Sequence, residues 1–132
     1  MSHRLAHIAL IVRDYDEAIR FYVDVLGFRL IEDIYQPEQD KRWVLVQPSG
    51  GSVSVLLARA TTDIQRAAIG NQTGGRVFLF LDTDDLAADL IRLRAQGVRI
   101  VREAKTADYG TVAVFADLYG NLWDLIQRPA AG

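Results

Sequence analysis

The chain has no cysteine, and this absence removes several kinds of site at once. Without a cysteine in 132 residues there is no disulfide, no thiolate nucleophile and no cysteine-rich zinc site. The N-terminal apolar run is interrupted by Arg13 and Asp14, so it is too short for a membrane span and lacks a signal-peptide cleavage region. These features are compatible with a reducing compartment, and we expect a cytoplasmic protein with no membrane partner.

An excess of charge of one sign is also missing. The 15 basic and 17 acidic side chains are mixed along the sequence and give a net charge of −2. With no basic tail or stripe, we expect no nucleic-acid partner. The sequence contains no G-x-S-x-G elbow, phosphate-binding loop or dinucleotide fingerprint. Composition and length therefore indicate one ordinary globular domain over residues 1–132, without assigning a reaction.

A long internal repeat is the most informative feature that is present. The stretch HIALIVRDYDEAIRFYVDVLGFRLI begins at His7, and RVFLFLDTDDLAADLIRLRAQGVRIV begins at Arg76. Each copy contains an apolar strand-like run, an acidic turn, an amphipathic helix and a strand that follows a glycine. The repeat predicts two modules that share one core, with equivalent positions meeting around a common cleft.

Each module is predicted to run strand, helix, strand, strand, strand. Module 1 covers about residues 4–58, with a buried strand at 6–12, a helix capped by Asp14 or Asp16, and strands at 28–34, 42–47 and 53–58. The polar segment YQPEQDK between the second and third of these strands suits a hairpin or a mobile loop.

A linker over residues 59–75, with a possible short helix at TDIQRAAI, leads to module 2 at about 76–128. That module has predicted strands at 77–81, 98–101, 111–115 and 122–127, and a helix from Asp84 or Asp85 to about residue 95. Residues 102–110 are interpreted as a polar loop, DLYGN as a turn and the tail 129–132 as frayed.

Three stretches together carry a family resemblance. They are the opening HIALIVRDYDEAIRFYVDVLGF, the second opening VFLFLDTDDLAADLIRLRAQGV and the closing VFADLYGNLWDLIQ. With these stretches the chain resembles the vicinal oxygen chelate superfamily, which includes glyoxalase I, bleomycin-resistance proteins and extradiol dioxygenases. The resemblance implies an α+β fold of two βαβββ modules whose curled mixed sheets surround a shared cleft, and a homodimer.

Metal-using members of that superfamily take one ligand from the first strand and one from the last strand of each module. Carried over to this chain, the four positions are His7, a residue within 54–57, Arg76 and Asp124. His7 and Asp124 have suitable chemistry, whereas a guanidinium is a permanent cation and cannot be a ligand. We therefore favour no metal and no cofactor, although a divalent metal held by His7 and Asp124 stays open.

His7, Arg76 and Asp124 are also the candidate catalytic residues. His7 either lines the cleft or is a histidine at the edge of the core that bonds a backbone carbonyl. Asp124 alternates to the opposite face from Trp123 and Leu125, and a carboxylate in mid-strand is costly unless it is paired or solvated. We favour an ion pair between Arg76 and Asp124, which could also anchor a substrate.

Four aromatic residues are candidate ligand contacts: Trp43, Tyr109, Tyr119 and Trp123. The alternative for each is packing in the core or on the surface. Tyr109 precedes a glycine in a polar segment, so its hydroxyl could donate a hydrogen bond or relay a proton. Asn121 is expected to serve the turn, and the acidic groups DYDE and DTDD are expected to cap helices.

Three functions remain open. The first is a metal-independent protein of the bleomycin-resistance type that binds a small aromatic or cationic molecule. The second is a lyase- or isomerase-like enzyme acting on a small oxygenated metabolite, with His7 as base and Arg76 stabilising negative charge. The third is a metal enzyme of the glyoxalase or dioxygenase type that uses His7, Asp124 and further ligands.

Overall fold

The computed structural model describes residues 1–130, which form two compact units with the division between Ile69 and Gly70. Each unit contains one four-stranded mixed sheet and runs β-α-β-β-β, so the predicted α+β class with two βαβββ modules is confirmed. The common cleft stays a prediction. Residues 131–132 of the tail expected to fray lie outside the described residues.

The first unit begins with strand β1, His7–Val12, and helix α1, Tyr15–Ile19, which continues as a π-helical segment, Arg20–Val25. Strand β2, Arg29–Gln36, a short 3₁₀ turn, Pro37–Gln39, and strand β3, Lys41–Gln47, form a hairpin. Strand β4, Ser54–Arg59, and helix α2, Asp63–Ala68, complete the unit. Of the two alternatives predicted for YQPEQDK, a hairpin or a mobile loop, the structure shows the hairpin.

The second unit repeats this order. Strand β5 is Val77–Asp82, helix α3 is Leu86–Ala95, and strands β6, β7 and β8 are Ile100–Ala107, Gly110–Ala116 and Leu122–Gln127. The strand orders are β1-β4-β3-β2 and β5-β8-β7-β6. In each sheet the first strand runs parallel to the last, and the other neighbours are antiparallel.

Carboxylates cap the first helix of each unit, as the acidic turns predicted. The side chain of Asp14 accepts a hydrogen bond of 2.9 Å from the backbone N–H of Glu17. Asp85 accepts one of 3.1 Å from the N–H of Ala88. Each bond satisfies a donor that the first turn of a helix leaves unpaired, which is why both helices begin directly after an acidic residue.

Each unit buries apolar side chains between its sheet and its helix, and the core shared by the two modules stays a prediction. In the first unit the fully buried side chains include Leu10, Val12, Tyr22, Val44 and Leu57. In the second unit the buried side chains include Leu86, Leu90, Leu93, Phe115, Trp123 and Leu125. In the described chain, no helix is long and apolar enough to cross a membrane.

Two details of the predicted elements are wrong. Strand β1 is buried on one face only, so alternate residues such as Leu10 and Val12 are buried and His7 is exposed. Residues 102–107 belong to β6 and are not a loop. Because β6 is also an edge strand and is exposed along most of its length, polar side chains are compatible with it, and the alternation that marks a half-buried strand is absent.

Candidate functional site

The first candidate surface lies on the side of the first sheet that faces away from α1, and we call it the first site face. His7 of β1 is the register partner of Ser54 on β4, so both side chains project to this side. The His7 ring meets Trp43 of β3 edge to face, with 5.9 Å between the ring centroids. Trp43 is half-buried and is the register partner of the exposed Ile34 on β2. The face therefore presents an aromatic pair beside an apolar side chain.

A chain of polar contacts borders this aromatic pair. The guanidinium of Arg29 donates to Oε1 of Gln47 at 3.2 Å. The amide nitrogen of Gln47 donates to the backbone oxygen of Ser52 at 2.6 Å and to Oγ of Ser54 at 3.4 Å. Hydrogen bonds to its oxygen and from its nitrogen therefore fix the orientation of the Gln47 amide.

The second candidate surface is the corresponding side of the second sheet, which we call the second site face. Asp124 of β8 lies in register between Phe80 of β5 and Val114 of β7, and Val114 is in turn the partner of Arg102 on β6. Phe80 is 69% exposed, which is unusual for an aromatic ring on a strand. A carboxylate therefore lies between an exposed ring and an arginine in one row across the sheet.

Asp124 has the least satisfied polar group of the described residues. Its Oδ1 is buried and has no hydrogen-bond partner. Burial raises the pKa of Asp124, and the positive charge of Arg102 partly opposes that rise. An acceptor that is shielded from water and left without a donor carries a desolvation cost, so Asp124 is the group on this face with most to gain from a bound hydrogen-bond donor.

Arg76 does not pair with Asp124, and our prediction of that ion pair is wrong. Arg76 is exposed just before β5, and its carbonyl accepts a 2.5 Å hydrogen bond from the hydroxyl of Thr73. No ion pair within the described part of the chain joins the two side chains. The register between β5 and β8 is irregular near Val77, and this places Phe80 beside Asp124.

The remaining aromatic candidates occupy different environments. Trp123 is 2% exposed and stacks on Phe115 with 6.2 Å between ring centroids, which is the core-packing alternative. Tyr109 is 61% exposed in the turn between β6 and β7. The half-buried Tyr119 lies in the turn between β7 and β8, where its backbone N–H donates to Asp117 at 2.9 Å. Of the four aromatic candidates, Trp43 makes a ring contact with another candidate site residue, His7.

Asp117 is a buried residue that sequence reasoning missed. Its Oδ1 accepts backbone hydrogen bonds of 2.9, 3.0 and 2.9 Å from Tyr119, Gly120 and Asn121. Its Oδ2 accepts a fourth bond, of 2.9 Å, from the side chain of Asn121. The expected role of Asn121 in the turn is confirmed, and the position of Asp117 at the head of DLYGN was the available signal.

Comparison with known proteins identifies the family. The model of the Glyoxalase/Bleomycin resistance protein/Dioxygenase superfamily matches residues 4–125. The chain belongs to this superfamily. An uncharacterized protein of Shewanella frigidimarina is 62% identical over 128 residues, which covers 96% of this chain and 95% of that protein. The expected resemblance is thereby confirmed.

Two further members of the superfamily represent a binding protein and an enzyme. The crystal structure of TnmS3, an antibiotic binding protein from Streptomyces sp. CB03234, is 32% identical with a TM-score of 0.76, and the match covers 98% of both chains. A lactoylglutathione lyase of Neisseria meningitidis is 30% identical over 130 residues, which covers 95% of this chain and 91% of the lyase.

The residues at the superfamily's metal positions do not make a complete donor set. Ser54 and Leu56 project to the first site face, as their partners His7 and Ala9 show, and neither is a strong metal ligand. Arg76 occupies the third position and cannot coordinate a cation. Within residues 1–130, no group of three or more His, Asp or Glu side chains is arranged to hold a metal ion. We therefore derive no chemical step through a metal.

Proposed function

We propose that each site face of this protein, taken separately, binds a small, flat organic molecule without the superfamily's full metal site. The observation that carries the proposal is the exposed aromatic surface of both sheets, His7 with Trp43 in the first unit and Phe80 beside Asp124 in the second. Exposed apolar groups bordered by polar side chains mark binding sites more often than they mark a plain protein surface.

The polar groups on these faces favour a ligand that donates hydrogen bonds. The buried Oδ1 of Asp124 accepts none from the described residues, and Arg76 does not neutralise it. A planar cation with N–H groups would stack on an aromatic ring and supply the missing donor. The similarity to an antibiotic binding protein supports the same class of function. A homodimer in the cytoplasm, as the resemblance and the composition imply, completes the proposal.

Proflavine, a planar aromatic cation with two amino groups, is a suitable probe. Binding next to Trp43 should quench its fluorescence, whereas Trp123 is buried on the core side of its sheet and serves as an internal reference. We expect Trp43→Phe to remove most of the quenching and His7→Ala to weaken binding roughly tenfold. His3→Ala is the matched control, because His3 lies in the exposed N-terminal segment.

A second variant separates the role of the carboxylate. Asp124→Asn should weaken the binding of proflavine while leaving the neutral analogue anthracene unaffected, and Asp108→Asn in the exposed turn should change neither. The proposal fails if proflavine does not bind, or if His7→Ala and Asp124→Asn both bind it as the unchanged protein does. Turnover of a lactoylglutathione-type substrate would instead support the lyase alternative.

A further inference from the structure

A groove of about 580 Å³ lies in the second unit between α3 and the β6–β7 hairpin. Its lining includes apolar residues of α3 and polar residues of the strands: Leu86, Leu90, Ile91, Thr106, Thr111 and Gln127. These strand residues alternate with those of the second site face, so the groove is on the opposite, helix-bearing side of the sheet. The function proposed above does not use it.

The equivalent place in the first unit is filled by side chains of the protein. The ring of Tyr15 lies there with the guanidinium carbons of Arg42 and Arg59 at 5.2 and 5.3 Å from its centroid. The Tyr15 hydroxyl also accepts a hydrogen bond of 3.3 Å from the backbone N–H of Arg42. The first unit thus closes the space between helix and hairpin with one aromatic ring and two cations.

The strand registers show that the two places correspond. Leu57 is paired with Leu10 in the first sheet, and Leu125 is paired with Leu81 in the second. Arg59 follows Leu57 by two residues on β4, and Gln127 follows Leu125 by two residues on β8. Arg59 and Gln127 therefore occupy corresponding positions.

The hairpins and helices correspond in the same way. Val44, the partner of Leu57, follows Arg42 by two residues, and the partner of Leu125 follows Thr111 by two residues. Tyr15 and Leu86 are each the first helical residue after the capping aspartate. The second unit therefore has Leu, Thr and Gln where the first has Tyr, Arg and Arg, and the space that those larger side chains fill is open.

The chemistry of the groove indicates the kind of molecule that fits. Its charged lining side chains are Arg94 and Arg128, and no acidic residue of the described chain lines it. Arg94 pairs with Glu103, and Arg128 lies 3.6 Å from Asp82. Both pairs are solvent-exposed, so a competing anion can replace them at little cost.

The threonine hydroxyls add a polar contact inside the groove. The hydroxyls of Thr106 and Thr111 lie 3.0 Å apart and bond to each other. A hydroxyl pair of this kind still has acceptor capacity for a further donor. The exposed Ile91, together with Leu90, supplies an apolar wall on α3.

We propose that this groove is a second small-molecule site, which takes a small aromatic carboxylate. The ring of the ligand occupies the space that the Tyr15 ring fills in the first unit, and its carboxylate pairs with Arg94 and Arg128. A phenolic hydroxyl on the ligand bonds the Thr106–Thr111 pair.

Methyl-observed NMR titration with 4-hydroxybenzoate tests the site directly. We expect shifts at Leu86, Leu90 and Ile91. Ala87→Trp should lower the affinity at least roughly tenfold by filling the groove, because Ala87 is an exposed lining residue. Ala95→Trp is the matched control: it lies at an exposed position of the same helix outside the groove, and it should bind as the unchanged protein does.

Charge is tested separately with benzoate and the neutral benzamide. Arg94→Gln combined with Arg128→Gln should weaken benzoate but not benzamide, whereas Arg92→Gln, on the same helix outside the groove, should alter neither. Three results would overturn the inference: no shifts at all, equal affinity in the Ala87→Trp and Ala95→Trp variants, or methyl shifts that cluster at Val112, Val114 and Ile126, which lie on the same side of the sheet as Asp124. The last would place the ligand on the second site face.

Discussion

Replacing Asp124 with leucine should stabilise the second unit, although the change removes a charged residue from the candidate site. The internal repeat supplies the reason, because Leu56 is the corresponding residue on the first site face. A leucine is therefore already accommodated at this position of the same architecture. The substitution removes a buried carboxylate oxygen that has no hydrogen-bond partner.

The magnitude follows from two contributions of the same sign. Removing a buried, unsatisfied acceptor recovers a desolvation cost of about 1–3 kcal/mol. Partial burial of the leucine side chain adds about 1 kcal/mol. We expect the free energy of unfolding at neutral pH to rise by about 2–4 kcal/mol, which is large for a single substitution.

The increase in the free energy of unfolding that Asp124→Leu produces should depend on pH in a defined direction. Burial raises the native-state pKa of Asp124 above 3.8, the ordinary value that applies in the unfolded state. At pH values between the unfolded-state pKa and the native-state pKa, the native state therefore binds more protons than the unfolded state. The unchanged protein therefore gains stability as the pH falls through the raised pKa, and it gains no more below 3.8. The leucine variant has no such group, so the difference between the two proteins should narrow in acid.

Urea denaturation at a series of pH values measures both effects. Asp82→Leu is a suitable control, because Asp82 lies in the same sheet with a largely exposed side chain, and its effect should stay within about 0.5 kcal/mol. A variant at position 124 that is less stable than the unchanged protein, or whose gain is the same at every pH, would refute the reasoning. We also expect the stabilised variant to bind proflavine poorly, because the buried carboxylate that it lacks is the proposed hydrogen-bond acceptor for the ligand.

Gly70→Ala should cost about 3 kcal/mol or more in thermal or urea unfolding, because a Cβ there would lie 1.9 Å from the carbonyl oxygen of Tyr119. Gly74→Ala, also at positive φ but in open space, should cost only about 1 kcal/mol; equal losses would contradict the steric argument. Asp33→Asn should cost about 1–2 kcal/mol at neutral pH, because it removes the negative charge and one of the two oxygens that accept hydrogen bonds of 3.1 and 2.7 Å from Arg42. Because Arg42 lowers the pKa of Asp33, that stability is lost as pH falls below 3.8, and a loss that persists unchanged in strong acid would disprove the assignment.

The repeat made most of the fold predictable. Two copies of one pattern, each with an acidic residue ahead of a helix and a glycine after it, were enough to predict both βαβββ units. The start of β6 lies within the predicted strand 98–101, but its polar part, 102–107, was interpreted as a loop, because an edge strand with so much exposed surface needs no apolar alternation. Its neighbour β7 is buried along most of its length and carries the apolar signal instead.

Single residues of the candidate site could be predicted from the sequence, but the contacts between them could not. The positions of His7 and Asp124 followed from the resemblance, but their neighbours depend on strand order and register. Trp43 meets His7 across β4, and Arg102 is two strands away from Asp124. The ion pair expected for Arg76 failed for the same reason, since an irregular register leaves no trace in composition or spacing.

The parallel pairing of β1 with β4 has a consequence for how the protein is made. In the described chain β4 is the hydrogen-bonded strand neighbour of β1, and the pair joins His7 near the start of the first unit to Ser54 of its last strand. The hairpin of β2 and β3 closes a short loop, whereas this contact closes a long one at a greater entropic cost. During synthesis the ribosome must therefore release nearly all of the first unit before β1 can join its sheet, and the emerging first strand stays without a partner until then.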